Sequence, residues 1–93
     1  MALYALVIER GGKSYSTQLA AESATKAIKK YFTEHDPHSG IEFFGKSSPH
    51  LTANDIIYVT PMEGLVNMWL ACAGREGEYV SVICSRTVSR QAT

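Results

Sequence analysis

The sequence predicts an α+β domain in which one helix packs on a largely antiparallel sheet. Two observations support this prediction: apolar residues alternate with a period of two in several segments, and one segment between them changes to a period of about 3.6. The predicted element order is strand-strand-helix-strand-strand-strand-strand. We expect residues 1–93 to form a single domain, with a flexible polar tail from about residue 87.

The first hairpin is predicted from alternating residues on both sides of Gly11-Gly12. Two glycines supply the positive φ angles that a two-residue I′ or II′ turn requires. This turn predicts three cross-strand pairs, namely Ile8 with Tyr15, Leu6 with Thr17 and Tyr4 with Leu19. We expect this face of the hairpin to meet the core.

The helix is predicted from about residue 23 to residue 34, where the period becomes helical. Ser23 is a suitable N-cap, and Pro37 and Gly40 end the helix within the segment EHDPHSG. The stripe expected to pack on the sheet consists of Ala24, Ala27, Ile28, Tyr31 and Phe32. The lysines expected to face away are Lys26, Lys29 and Lys30.

The second half of the chain predicts four strands. Residues 41–46 form a short strand, and Ser48-Pro49 opens a helical turn through Asn54. The next strand runs from Ile56 to Thr60. Residues 65–74 and 78–86 form the second hairpin.

A three-residue loop, Arg75-Glu76-Gly77, sets the predicted register of the second hairpin. One predicted face carries Met68, Leu70, Cys72, Val80, Val82 and Cys84. The other carries Trp69, Ala71, Tyr79, Ser81 and Ile83. If the helix covers only one side of the sheet, Trp69 and Tyr79 lie on a partly exposed apolar patch, which is typical of an interface. The alternative is that residues 47–55 or a second copy cover this face.

Composition and charge limit the class of protein. Hydrophobic residues make up 45% of the chain and charged residues 19%, which provides enough apolar material for a core. The formal net charge is zero, so we expect no direct binding to nucleic acid or to a membrane. The first residues, MALYALVIERGG, lack the features of a secretory signal or a membrane span, and two cysteines are too few for a disulfide scaffold. We therefore expect a cytoplasmic protein with reduced thiols.

A zinc site is the first candidate for chemistry. His35, His38 and His50 could bind zinc together with Asp36 or Cys72, since zinc takes nitrogen, sulfur and carboxylate ligands. The histidines lack the spacing that fixes ligands in advance on a helix or in a zinc finger. A solvated loop that ends the helix is the favoured interpretation, and we predict no metal and no cofactor.

Two further motifs are weak signals for catalysis or phosphate binding. Cys84 is the one thiol worth considering as a nucleophile, but its predicted partner, Met68, offers no base, so an inert structural thiol is expected. Cys72 is predicted on the same face at a distance that precludes a disulfide. The segment Arg10-Gly11-Gly12-Lys13-Ser14 superficially resembles a P-loop, although its glycines join two strands and not a strand and a helix.

The lysine stripe is a candidate binding surface. Lys26, Lys29 and Lys30, joined by Lys13 and Arg10 from the first turn, could bind phosphates or an acidic partner surface. The ordinary alternative, which we favour, is a solubilising helix face.

The layout of the whole chain resembles some small phage-encoded anti-CRISPR proteins, in which a hairpin leads into a helix and then into antiparallel strands. The matching segments are YALVIERGGKSYSTQLAAESATKAI and EGLVNMWLACAGREGEYVSVIC. Residues 35–60 have no counterpart. The resemblance implies an inhibitor without catalytic chemistry that binds a CRISPR effector subunit and blocks access of nucleic acid.

We therefore expect a non-enzymatic protein-interaction module whose partner is a host protein complex, such as a CRISPR effector. The predicted partner-binding residues are Lys13, Lys26, Lys29, Lys30, Trp69 and Tyr79. One alternative is a bacterial domain that forms a homodimer or a larger homo-oligomer through its apolar face. The other is a metal-dependent or cysteine enzyme built on His35, His38, His50 and Cys84.

Overall fold

The computed structural model confirms the α+β class. It describes residues 1–34, 51–75 and 78–87, and within these one α-helix lies on a five-stranded antiparallel sheet. In chain order the elements are β1 (Ala2–Arg10), β2 (Lys13–Ala21), α1 (Ala24–Lys30), a 3-10 turn (Ala53–Asp55), β3 (Ile56–Pro61), β4 (Met68–Arg75) and β5 (Glu78–Arg86). The strand predicted at 41–46 and the tail from residue 88 lie outside the described residues.

The strands lie in the order β2-β1-β5-β4-β3, so β1 and β5 are central and β2 and β3 form the two edges. The register of the first hairpin is confirmed in full: Ile8 pairs with Tyr15, Leu6 with Thr17 and Tyr4 with Leu19. Gly11 and Gly12 have φ angles of 57° and 80°, which is the left-handed pair that a type I′ turn needs.

The helix begins where the sequence predicts. The backbone N–H of Lys26 donates to the Ser23 hydroxyl over 3.2 Å, which confirms Ser23 as the N-cap. Residues 31–34 continue α1 as a π-helical turn. The five residues of the predicted apolar stripe are all buried, and the rings of Tyr31 and Phe32 pack edge to face with centroids 5.0 Å apart.

The core lies between α1 and one face of the sheet. The helix covers β2, β1 and β5, and the 3-10 turn covers β4 from the same side. Thr52 and Asp55 form a capping box on this turn, and Leu51 beside it is fully buried. Residues 51–55 thus lie on the helix side of the sheet, and no described element lies over the opposite face.

The predicted register of the second hairpin is wrong by one residue. Arg75 pairs with Glu78, so two residues and not three separate the paired positions. Trp69 consequently lies opposite Cys84, and Met68 lies opposite Ser85. Because successive side chains of a strand point to opposite faces, a shift of one residue exchanges the two faces of β4.

The corrected register separates Trp69 from Tyr79. The face that meets the core carries Trp69, Ala71, Ala73, Val80, Val82 and Cys84. The other face carries Met68, Leu70, Cys72, Tyr79, Ser81 and Ile83. Cys72 and Cys84 therefore lie on opposite faces, contrary to the prediction, and both are free thiols as expected.

Trp69 is a structural residue in this register. Its ring packs edge to face on Tyr4, with centroids 5.9 Å apart, and it lies half-buried against the core. The prediction that Trp69 lies with Tyr79 on an exposed patch is therefore wrong. Small side chains at Ala71 and Ala73, both buried, leave room for the elements above β4.

We expect Trp69→Ala to lower the free energy of unfolding by about 2–4 kcal/mol, because a large, partly buried ring would be removed from the core edge. The matched control is Tyr79→Ala, which removes an aromatic ring that is 60% exposed and should change stability by less than about 0.5 kcal/mol. Urea unfolding followed by circular dichroism measures both. Equal losses in the two variants would contradict the register.

Candidate protein-interaction surface

The face of the sheet opposite α1, hereafter the open face, carries apolar side chains on four neighbouring strands, with Ser81, Ser85 and Thr60 as polar residues among them. The register places Val7 of β1 beside Ile83 of β5, and Ile83 beside Leu70 of β4. Met68 and Cys72 lie on the same face of β4. The open face also includes large side chains with high exposure: Tyr79 at 60%, Tyr58 at 46%, Leu3 at 43% and Val7 at 39%.

Mostly polar residues flank this apolar area on its β2 side. The residues that β2 adds to the open face are Ser14, Ser16, Gln18 and Ala20. Among the described strand residues, Glu9 is the one charged residue on this face. An apolar centre with little charge and a polar rim is the usual composition of a protein–protein interface.

Sequence reasoning missed most of this surface. The sequence predicts Tyr79 and Ile83 on this surface, whereas it does not identify Leu3, Val7 and Leu70 as part of a patch. A signal was present in β1, where Leu3, Ala5 and Val7 alternate with the core residues. A strand with one solvated face normally alternates apolar and polar residues, so a strand that is apolar on both faces indicates a second apolar environment.

The helix lysines lie on the other side of the molecule, and two of the three are paired. Lys26 Nζ donates to a carboxylate oxygen of Glu22 over 2.8 Å, and Lys30 Nζ lies 3.9 Å from a carboxylate oxygen of Glu34. The hydrogen bond from Lys26 lowers the pKa of Glu22, which favours the ionised carboxylate. Lys29 is exposed on the same helix. The net positive charge of this surface is therefore smaller than the sequence predicts.

Lys13 and Arg10 do not join the helix lysines. Lys30 Nζ donates to the carbonyl of Ala20 over 3.4 Å, and Lys13 is seven residues away along the same strand, which corresponds to about 23 Å. Arg10 is 7% exposed, so its guanidinium is not part of an open cationic surface. The predicted continuous basic patch is absent from the described residues.

Most of the predicted zinc ligands lie outside the described part of the chain. His35, Asp36, His38 and His50 lie outside it. Cys72, the fifth member of the predicted set, is half-buried on the open face. Within residues 1–34, 51–75 and 78–87, no three histidine, cysteine or carboxylate side chains lie close enough together to hold a metal ion.

Cys84 is poorly suited to nucleophilic attack. Its side chain is fully buried opposite Trp69 in the middle of the sheet. Burial raises the pKa of the Cys84 thiol to about 11, so the reactive thiolate is a minor species at neutral pH. These properties agree with the predicted structural role.

No protein-family model, curated protein or solved structure matches this chain. Among the described residues, the helical segments are too short to cross a membrane. The resemblance to anti-CRISPR proteins therefore stays a prediction, and the open face is the principal structural evidence about function.

The two cysteines should differ strongly in reactivity. At pH 8 we expect a disulfide reagent to label Cys72 within minutes and Cys84 far more slowly, because a pKa of about 11 leaves about one thiolate in a thousand and the side chain is buried. Cys72→Ser isolates Cys84, whose labelling in the folded protein should accelerate as the pH rises toward about 11. Rapid labelling of Cys84 in this variant at pH 8 would contradict the burial.

Proposed function

We propose that the protein is a non-enzymatic protein-interaction module of the phage anti-CRISPR type, which binds a subunit of a CRISPR effector and blocks access of nucleic acid. The single observation that supports protein binding is the open face, which is apolar across four strands. The partner class comes from the resemblance of the two hairpins and the helix to anti-CRISPR proteins.

The size of the open face suits a docking surface. Four strands spaced about 4.8 Å apart, with apolar residues over about five positions, give an area on the order of 300 Å². The largest apolar patches on monomeric proteins have this size and are often functional. A stable interface buries about 800 Å² on each partner, so the polar residues of β2 and the neighbouring rim must contribute to the contact.

The open face and the helix lysines cannot both contact one flat partner surface, since α1 lies on the opposite side of the sheet. Tyr79 belongs to the open face, and Lys26, Lys29 and Lys30 belong to the helix. We assign partner binding to the open face because two of the lysines already have glutamate partners. Variants of the two surfaces distinguish this assignment from the lysine alternative.

The test is capture of purified CRISPR effector complexes by the tagged full-length chain, with the bound subunit identified by mass spectrometry. Val7→Ser combined with Tyr79→Ser should reduce capture by at least about tenfold, because two exposed apolar contacts would be lost at about 1 kcal/mol or more each. The control is Lys26→Glu combined with Lys29→Glu, which should leave capture within about threefold. Thermal unfolding verifies that both double variants are folded.

Failure to capture any effector would overturn the partner class. Loss of capture in the lysine variant, with normal capture by the open-face variant, would move the binding surface to the helix. Inhibition of target DNA binding, measured with the same variants, should follow capture.

A further inference from the structure

We propose that the outer edge of β2 pairs in antiparallel fashion with β2 of a second copy of this chain, which joins two sheets into one. This inference is independent of the proposed function, because it concerns an edge and not the open face. It rests on three observations: the contrast between the two edges, the direction of the backbone groups of β2, and the self-complementarity of its sequence.

The two edges of the sheet differ in their protection against strand pairing. On β3, Pro61 has no N–H to donate, and the register shifts between Ile56 and Tyr58, which marks a bulge. Prolines and bulges on an edge strand prevent pairing with another chain. On β2, all nine residues pair with β1 without a bulge, and no described strand pairs with its other side.

Hydrogen bonds near the N-terminal end of β1 show which backbone groups of β2 point outward. The Leu3 carbonyl accepts from the Thr87 N–H over 2.8 Å, so the backbone groups of Leu3 point toward β5 and away from β2. Its partner Ala20 therefore points outward, which agrees with the hydrogen bond from Lys30 Nζ to the Ala20 carbonyl. By the alternation of an antiparallel ladder, the same outward direction applies to every second residue, namely Ser14, Ser16 and Gln18.

The middle of this edge lacks the features that usually block pairing. The residues whose backbone groups point outward have uncharged side chains on the open face, and they are Ser14, Ser16 and Gln18. The lysines lie at the two ends: Lys13 begins the strand, and Lys30 covers the carbonyl of Ala20. The stretch from Ser14 to Gln18, between these ends, is therefore unblocked.

A second copy fits this stretch in one symmetric register. Because Lys30 already donates to Ala20, the new ladder ends at Gln18. An antiparallel copy then places Ser16 opposite Ser16 and Ser14 opposite Gln18, and each such pair exchanges two main-chain hydrogen bonds. The outward-pointing backbone N–H and C=O groups of one copy thus meet those of the other copy along the whole stretch.

The charges at the ends of the ladder are compatible with this arrangement. Lys13 of one copy approaches the region of Ala20 and Lys30 of the other. That region contains the pairs Lys26–Glu22 and Lys30–Glu34, whose charges cancel, and one further lysine, Lys29, so the repulsion on Lys13 comes from a single net charge. The two-fold axis stands perpendicular to the sheet, so both helices lie on one side and both open faces lie together on the other.

The test is sedimentation equilibrium of the full-length chain at concentrations from about 5 μM to about 500 μM, a range that covers dissociation constants typical of weak dimers. We expect a monomer–dimer equilibrium. Ser16→Pro removes an outward N–H and no hydrogen bond to β1, so it should weaken the dimer at least about tenfold. Ser16→Ala keeps the N–H and should dimerise like the wild type.

Amide hydrogen exchange of the wild-type chain tests the same edge if the proline variant does not fold. The N–H groups of Ser16 and Gln18 should become protected as the concentration rises, while those of Tyr15 and Thr17, which face β1, should be protected at every concentration. A monomer throughout the concentration range would overturn the inference. A dimer that Ser16→Pro leaves intact would also overturn it. So would a dimer in which the Ser16 amide still exchanges freely and which the open-face variant, Val7→Ser combined with Tyr79→Ser, abolishes.

Discussion

The alternation of side chains in an antiparallel ladder is the constraint on which the rest of this structure depends. With one short helix and a 3-10 turn as cover, only one face of the sheet is buried in the described residues. The register of each strand pair therefore decides whether a side chain enters the core or the open face. At the centre, Leu6 lies beside Cys84 and Cys84 beside Trp69, so three neighbouring strands place these side chains under the same cover.

The central strand β1 carries apolar side chains on both of its faces. β1 is central, and its neighbours β2 and β5 hold it on both sides. The side chains of Tyr4, Leu6 and Ile8 in β1 fill the core. Leu3 and Val7, which alternate with them and lie on the open face, are also apolar. Solvation alone would favour polar residues at such positions, so these apolar side chains support the proposed interaction surface.

Charged side chains are almost absent from the open face among the described strand residues. The helix carries its lysines on the far side of the domain, where neighbouring glutamates pair with Lys26 and Lys30. The glutamate of each pair lies four residues from its lysine, which is the spacing at which side chains meet along a helix. The low charge of the open face and the glutamate partners of two of the three helix lysines agree with the proposed protein partner.

The sequence by itself determined the elements that local rules specify: the α+β class, the first hairpin with its Gly11-Gly12 turn, the Ser23 cap and the buried stripe of the helix. Each depends on residues close together in the chain. The tertiary structure decided the rest. The pairing of Arg75 with Glu78 moved Trp69 to the core, since a turn containing glycine is compatible with loops of two or three residues and only packing selects one. The strand order, which makes β1 central and leaves β2 at an edge, depends on long-range pairing that no local pattern encodes.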